Sequence, residues 1–142
     1  MIDSLDLKLI ALLEKDANQA SNKLAEQLAV SSATVRRRMK ELIKNGVIRI
    51  IAIPEPKQIG HPLVTVIAFQ LEHEKLDLFL KAFRKMQHVK SLYVTSGRFD
   101  AIAIMWFSST EKLFNFMEKD IAGIEGIKAT ETFICLRVEK YF

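Results

Sequence analysis

Residues 30–46 read VSSATVRRRMKELIKNG, and at roughly 100° per residue they make a helix with two unlike faces. Val35, Met39, Leu42 and Ile43 fall on one side, Ala33, Arg37, Lys40 and Lys44 on the other, with Arg36 and Arg38 at the seam. Ser31 is placed to cap the start through its hydroxyl, and Gly46 follows Asn45 where a left-handed C-cap belongs. From Ser31 to Arg49 the basic residues are Arg36, Arg37, Arg38, Lys40, Lys44 and Arg49, against Glu41 alone, a local balance of +5 in a chain whose total is +4. The small Ser32, Ala33 and Thr34 at the helix start let a backbone come close, as a helix entering a major groove by its N-terminal end requires. A charge run by itself is more often a solvated face, so the weight falls on what surrounds it.

Upstream, Ile2, Leu5, Leu9, Leu12 and Leu13 recur at three- and four-residue spacings, which predicts an amphipathic helix from about Asp3 to Asp16. Its acidic start suits the helix dipole. After a polar break at 17–20, Ser21 is read as the cap of a short second helix that turns Leu24, Ala25, Leu28 and Ala29 inward. Downstream, 47–53 is an extended apolar run. Helix, short helix, tight turn, helix and extended segment, in that order, is the outline of a winged helix-turn-helix over residues 1–53.

The composition allows this and excludes other classes. A chain of 142 residues, 49% hydrophobic, has material for one domain or two small ones. No run approaches the ~20 apolar residues of a membrane span, and Asp3 and Asp6 stand where a targeting segment would be basic. These features read as a cytosolic chain. A lone cysteine, Cys135, among Phe133, Ile134 and Leu136 reads as a reduced, buried thiol.

Pro54-Glu55-Pro56 and Gly60-His61-Pro62 interrupt the chain, and 54–62 is read as a hinge. Over 63–142 the pattern becomes strand, helix, strand, strand, helix, strand: Leu63 to Leu71, Lys75 to Met86, Val89 to Thr95, Ala101 to Phe107, a helix capped by Ser109 and carrying Leu113, Phe114, Phe116 and Met117, and Ile127 to Val138. Leu76, Phe79 and Leu80 align with Leu113, Phe116 and Met117 at a constant offset of 37 residues. This duplicated unit predicts a ferredoxin-like βαββαβ domain, and the fold class is α+β. Helices cover one face of such a sheet, yet the strand Ala101 to Phe107 is apolar on both. A second copy of the chain is the simplest cover for the other face, and supplies the two-fold symmetry with which paired heads read half-sites.

Taken together, Leu5-Asp6, Leu24-Ala25, Ser31 with Arg38 and Leu42, Gly46-Val47-Ile48, Gly60, Gly97-Arg98-Phe99-Asp100, Gly126-Ile127 and Thr130-x-Thr132 resemble, in order and spacing across nearly the whole chain, the Lrp/AsnC or feast/famine transcriptional regulators. The resemblance implies a sequence-specific regulator that binds double-stranded DNA through Ser31, Ser32, Ala33, Thr34, Arg36, Arg37, Arg38, Lys40 and Lys44. It implies dimers formed through the sheets and often assembled into octamers. A small-molecule effector, an amino acid or related metabolite, would then sit between dimers near the G-x-x-D turn and the last strand, marking Gly97, Arg98, Asp100, Thr130 and Thr132. A purely structural alternative stands beside this, in which Gly97 supplies a positive φ and Asp100 bonds backbone amides.

Two departures from the family pattern stand out: Asn18 where many members carry an arginine, and Gln19-Ala20 for a more usual apolar-serine pair. Two other function classes compete. Siroheme decarboxylases resemble the same two-domain plan, but they carry a histidine in the turn that here reads Ser96-Gly97-Arg98-Phe99-Asp100. His61, His73 and His88 are scattered, with no spacing that suggests a metal, catalytic triad or cofactor loop. The other competitor is a ligand-sensing oligomerisation module without DNA binding, against which the basic helix speaks.

Overall fold

The computed structural model describes residues 1–141 and divides into two compact units, 1–53 and 54–141. In the first, α1 (Ser4–Lys15), α2 (Ser21–Leu28) and α3 (Ser32–Lys44) close over Leu9, Leu13, Leu24, Ala25, Val35 and Leu42. Asp3 caps α1 in a capping box: the amide of Asp6 donates to Asp3 and the amide of Asp3 donates to Asp6. Ala20, not Ser21, is the N-cap of α2, and it makes no side-chain capping bond, so the serine expected there is simply the first helical residue. Gln19 bridges the α1–α2 corner, donating to the carbonyls of Leu12 and Asp16 at 3.3 and 3.2 Å while accepting from Gln27 at 3.0 Å. The departure from the family pattern at 19 therefore closes a polar clasp between the two helices.

The start and stop of α3 are those its residues dictate. Ser31 accepts from the Thr34 amide at 3.1 Å, and past Asn45 the amides of Gly46 and Val47 return to Ile43 and Leu42 at 3.0 and 2.9 Å, a Schellman motif that Gly46 closes at φ 69°. Ile43, expected on the packed face, is 46% exposed, because Val35 and Leu42 alone fill the space beneath α3 and Met39 covers their edge. Residues 48–53 carry no ladder: no second strand pairs with them among the described residues, since two prolines follow where a hairpin partner would begin.

In the second unit the sheet order is β2-β3-β1-β4, all antiparallel, with β1 at Leu63–Leu71, β2 at Val89–Val94, β3 at Ala101–Phe107 and β4 at Ile127–Ile134. The hinge read at 54–62 holds a tight helical turn, Pro56–Ile59, whose Pro56 is buried. Odd-numbered residues of β1 and β3 face α4 (Leu76–Phe83) and α5 (Thr110–Asn115). Phe69, Phe79 and Phe83 meet there with centroids 4.1–4.9 Å apart, in tilted, edge-on and stacked pairs. Phe116, at the duplicated position of Phe79, closes the far end against Phe107. Phe114 does not join them: it is 62% exposed, since its neighbours Leu113 and Phe116 take the core-facing positions of that turn. β4 ends at Ile134, short of the expected Val138: β1 begins at Leu63, and the amide of Cys135, which donates to the Val64 carbonyl, makes the last backbone bond between the two segments among the described residues. The even-numbered row, Val64, Val66 and Ala68 across from Trp106, Ile104 and Ile102, faces away from the helices and is flanked by exposed Tyr93 and Phe133.

The turn between α2 and α3 holds the single positive-φ residue among the described residues that is not glycine: Ala29, at φ 53° and ψ 44°. An L-residue held there costs roughly 1–2 kcal/mol. Replacing Ala29 by Gly is expected to stabilise the first unit by about 0.5–1 kcal/mol in a denaturant titration. Ala29→Val is expected to destabilise it, and a neutral or stabilising valine would contradict the left-handed turn.

Candidate nucleic-acid interface and ligand turn

Burying Val35 and Leu42 aims the opposite side of α3 at solvent. Arg36, Arg37, Lys40 and Lys44 are all exposed, as are Ser31 and Ala33, while Ser32 and Thr34 are half-buried at the helix start. The hydroxyls of Ser31 and Thr34 are 2.9 Å apart, so the two side chains that tie the first turn are held by each other. Arg37 reaches along the helix to Glu41 at 3.0 Å, with both side chains more than half exposed. An exposed pair at this spacing is worth only about 0.3–0.5 kcal/mol, little enough for a phosphate to displace it.

Arg38 is not part of this row. Its side chain is 24% exposed, and Nη1 donates to Asp3 at 2.6 Å and to both oxygens of Asp6 at 3.1 Å. Asp6 is itself buried. Expected among the DNA-facing cations, Arg38 instead turns its guanidinium toward α1 in this structure, apart from the exposed row. The clue in sequence was the pair of acids three residues apart at the start of the first helix, read there only as dipole partners.

The second group of candidate residues lies in the turn between β2 and β3. Gly97 has φ 105° with open space where a side chain would be, so conformation and not crowding calls for glycine. The Thr95 hydroxyl donates to the Phe99 carbonyl at 2.7 Å, and Arg98 lies 5.2 Å above the Phe99 ring. Asp100 is held on both sides of its backbone, and its Oδ2 accepts from the Leu71 amide at 2.8 Å. The structural role considered for Gly97 and Asp100 is thus present, and it occupies one carboxylate oxygen. Oδ1 accepts no hydrogen bond among the described residues.

Phe69 pairs with Ala101 on one side and Thr130 on the other, so the turn and Thr130 share one end of the sheet, two strands and about 10 Å apart. Thr132 sits one step further along, opposite Ile67. Both threonines project to the helix side at the free edge of β4, and β1 lies between them and Asp100. No hydrogen bond links the two clusters among the described residues, so these five residues do not close a pocket on one chain. A separate groove of about 430 Å³, lined by Leu78, Lys81, Ala82, Lys85 and 123–125, includes none of them.

Residues 64–142 match the Lrp/AsnC ligand binding domain, and residues 2–49 match a winged helix-turn-helix DNA-binding domain. The chain belongs to the Lrp/AsnC family. An uncharacterized HTH-type transcriptional regulator of Pyrococcus furiosus is 32% identical over 99% of this chain and 96% of its own length. The HTH-type transcriptional regulator LrpA of Pyrococcus horikoshii is 31% identical, covering 89% of this chain and 91% of the relative. Among solved structures, E. coli AsnC superposes with a TM-score of 0.85 at 26% identity, covering 100% of this chain and 97% of that one. A transcriptional regulator of Neisseria meningitidis in complex with L-Met shares the fold, with a TM-score of 0.88 at 20% identity over 99% of this chain and 94% of that one. This Lrp/AsnC chain is therefore a DNA-binding transcriptional regulator with a ligand-binding domain, and no helix among its described residues is long and apolar enough to cross a membrane.

The Asp3 carboxyl is held below its ordinary value first by the Asp6 amide and then by Arg38. A depressed folded-state value means that this carboxylate's contribution is complete above the ordinary range near pH 4 and is lost as pH falls below it. The unfolding midpoint of wild type should consequently drop more steeply between about pH 5 and 3 than that of Asp3→Asn. Parallel curves for the two would mean that Asp3 titrates outside the ion cluster.

Proposed function

We propose that this regulator reads specific DNA sequence through α3 and responds to an amino acid or related metabolite bound at its C-terminal unit. The supporting observation is the division of α3 into a buried Val35–Leu42 stripe and an exposed row of Arg36, Arg37, Lys40 and Lys44. Ser31, Ser32, Ala33 and Thr34 bring the start of the helix to the groove floor, where Arg37 reaches base edges and the lysines reach phosphates. The working species is a homodimer, or a larger homo-oligomer built from it, with the Val64–Trp106 row as the pairing face. An enzyme of the siroheme-decarboxylase type fits less well: the 96–100 turn holds no histidine, and His88 is spent stacking on Phe107 beside the Trp106 carbonyl.

Lys40→Ala and Lys44→Ala should each weaken binding alike on every duplex and flatten the salt slope by about one. Arg37→Ala should cost ~1–3 kcal/mol on a preferred site and relax preference there. Electrophoretic shifts over a salt series check both, and unchanged slopes would remove the lysines from the interface.

For the effector, Gly97 and Arg98 offer an amide-lined turn and a cation to a carboxylate, Asp100 offers its remaining oxygen to an ammonium, and Thr130 and Thr132 offer hydroxyls. The two strands between these groups support a shell completed across subunits, through which a ligand would bias one assembly over another. The fold accommodates L-Met in the Neisseria regulator. Asp100→Asn keeps an acceptor for the Leu71 amide while removing the charge, so it should abolish amino-acid-dependent changes in oligomer size and DNA affinity with basal binding near wild type. Equal amino-acid affinity of mutant and wild type by calorimetry would move the effector elsewhere.

A further inference from the structure

The arginine run of α3 splits by direction. Arg36 and Arg37 stand in solvent, whereas Arg38 bonds Asp3 at 2.6 Å and Asp6 at 3.1 Å. Those two acids are already engaged with each other. Asp6 donates its amide to Asp3 Oδ1 at 2.9 Å, and Asp3 donates its amide to Asp6 Oδ2 at 3.1 Å. One nitrogen of α3 therefore plugs into a closed ring that also begins α1. Nε of the same guanidinium is buried and has no partner among the described residues.

Arg38 follows Val35 by three residues and precedes Leu42 by four, which puts it on the stripe by which α3 is anchored. Val35 and Leu42 contact a core that includes Leu9 and Leu13 of α1, and apolar contact is non-directional. It resists separation of the helices more than rotation of one of them. A charged hydrogen bond has a preferred direction. A side chain 5–6 Å from the helix axis moves by about 3 Å when its helix turns 30°, close to the ~3.4 Å by which successive base pairs rise along the DNA axis. A modest rotation of α3 would therefore shift Ala33, Thr34 and Arg37 by about one base.

We propose that Arg38 is a positioning residue for DNA recognition, which with Asp3 and Asp6 sets the rotation of α3 about its axis, and hence which bases the helix reaches, without itself neutralising a phosphate. The inference rests on the DNA-binding reading of α3. It predicts the opposite of what a phosphate-contacting arginine predicts. If Arg38 met DNA, removing its acidic partners would free a cation and strengthen binding. If it positions the helix, removing either side of the cluster injures the same property.

The test begins by selecting a preferred duplex from a randomised pool with the wild-type chain. Binding to that duplex and to a scrambled one is then measured across a salt series for wild type, Arg38→Gln, Asp6→Asn, their double variant and Arg38→Lys. Positioning predicts that both single variants lose about tenfold or more of the preference for the selected duplex, with the salt slope unchanged. The double variant should lose no more than the worse single, as partners in one contact do. Arg38→Lys, which keeps a charge toward the acids, should recover part of the preference.

Tighter binding and a steeper slope for Asp6→Asn, with a flatter slope for Arg38→Gln, would overturn the proposal and make Arg38 a phosphate contact. Should Asp6→Asn fail a thermal-unfolding check, Asp3→Asn, on the more exposed carboxylate, carries the same signs of expectation. A wild-type chain that shifts no duplex at any salt would overturn the DNA-binding reading itself, an outcome separate from the ordering among variants.

Discussion

A guanidinium on the most cationic helix of the chain is held by two carboxylates at the start of another helix, and the presentation of the basic row depends on that contact. The apolar core of the first unit is small: four residues from α1 and α2 meet two from α3. Such a core gives cohesion but little angular definition. The Arg38 cluster adds direction. It also raises the Arg38 guanidinium further above its ordinary value, first through the Asp3 hydrogen bond. A helix packed only by Val35 and Leu42 would present the same charges with a less certain phase.

In the second unit the controlling constraint is that β1 lies between β3 and β4 and satisfies both neighbours while burying residues on the helix side. Its Thr65 is buried and donates to the Met105 carbonyl at 3.2 Å, so the polar group there is accommodated. Its end is defined by Asp100, whose side chain takes the Leu71 amide where the β1–β4 register shifts. Gly126 marks the same end from the other side: at φ 90° it presses against Lys75, where a side chain would collide at 2.3 Å. The residues that close the sheet and those proposed to meet an effector are therefore partly the same, and an acid with one oxygen bound and one open is suited to both tasks.

Much of this was legible because the relevant physics is local. Capping by Ser31 and Ser109, the Gly46 stop, the bounds of β1 and β3 and the duplicated core positions all follow from interactions within a few residues. What local reasoning misassigned shares one cause. Ile43 and Phe114 have core-like chemistry and spacing but found no space left beneath their helices, and the apolar run 48–53 has strand chemistry but no partner strand among the described residues. Periodicity says which side of a helix is apolar, not how much of it another surface will cover.

The sequence by itself determined the element order, the two-unit plan and the charge of α3, since hydrophobic period, caps and prolines act over one or two turns. Only the tertiary structure decided the direction of each cation, because Arg38 and Asp3 are 35 residues apart and nothing in their spacing foretells contact. It likewise decided that Asp100 holds a backbone amide 29 residues away. Both are polar contacts between distant segments, formed when the cores have already brought the partners together, and short-range pattern carries no trace of them.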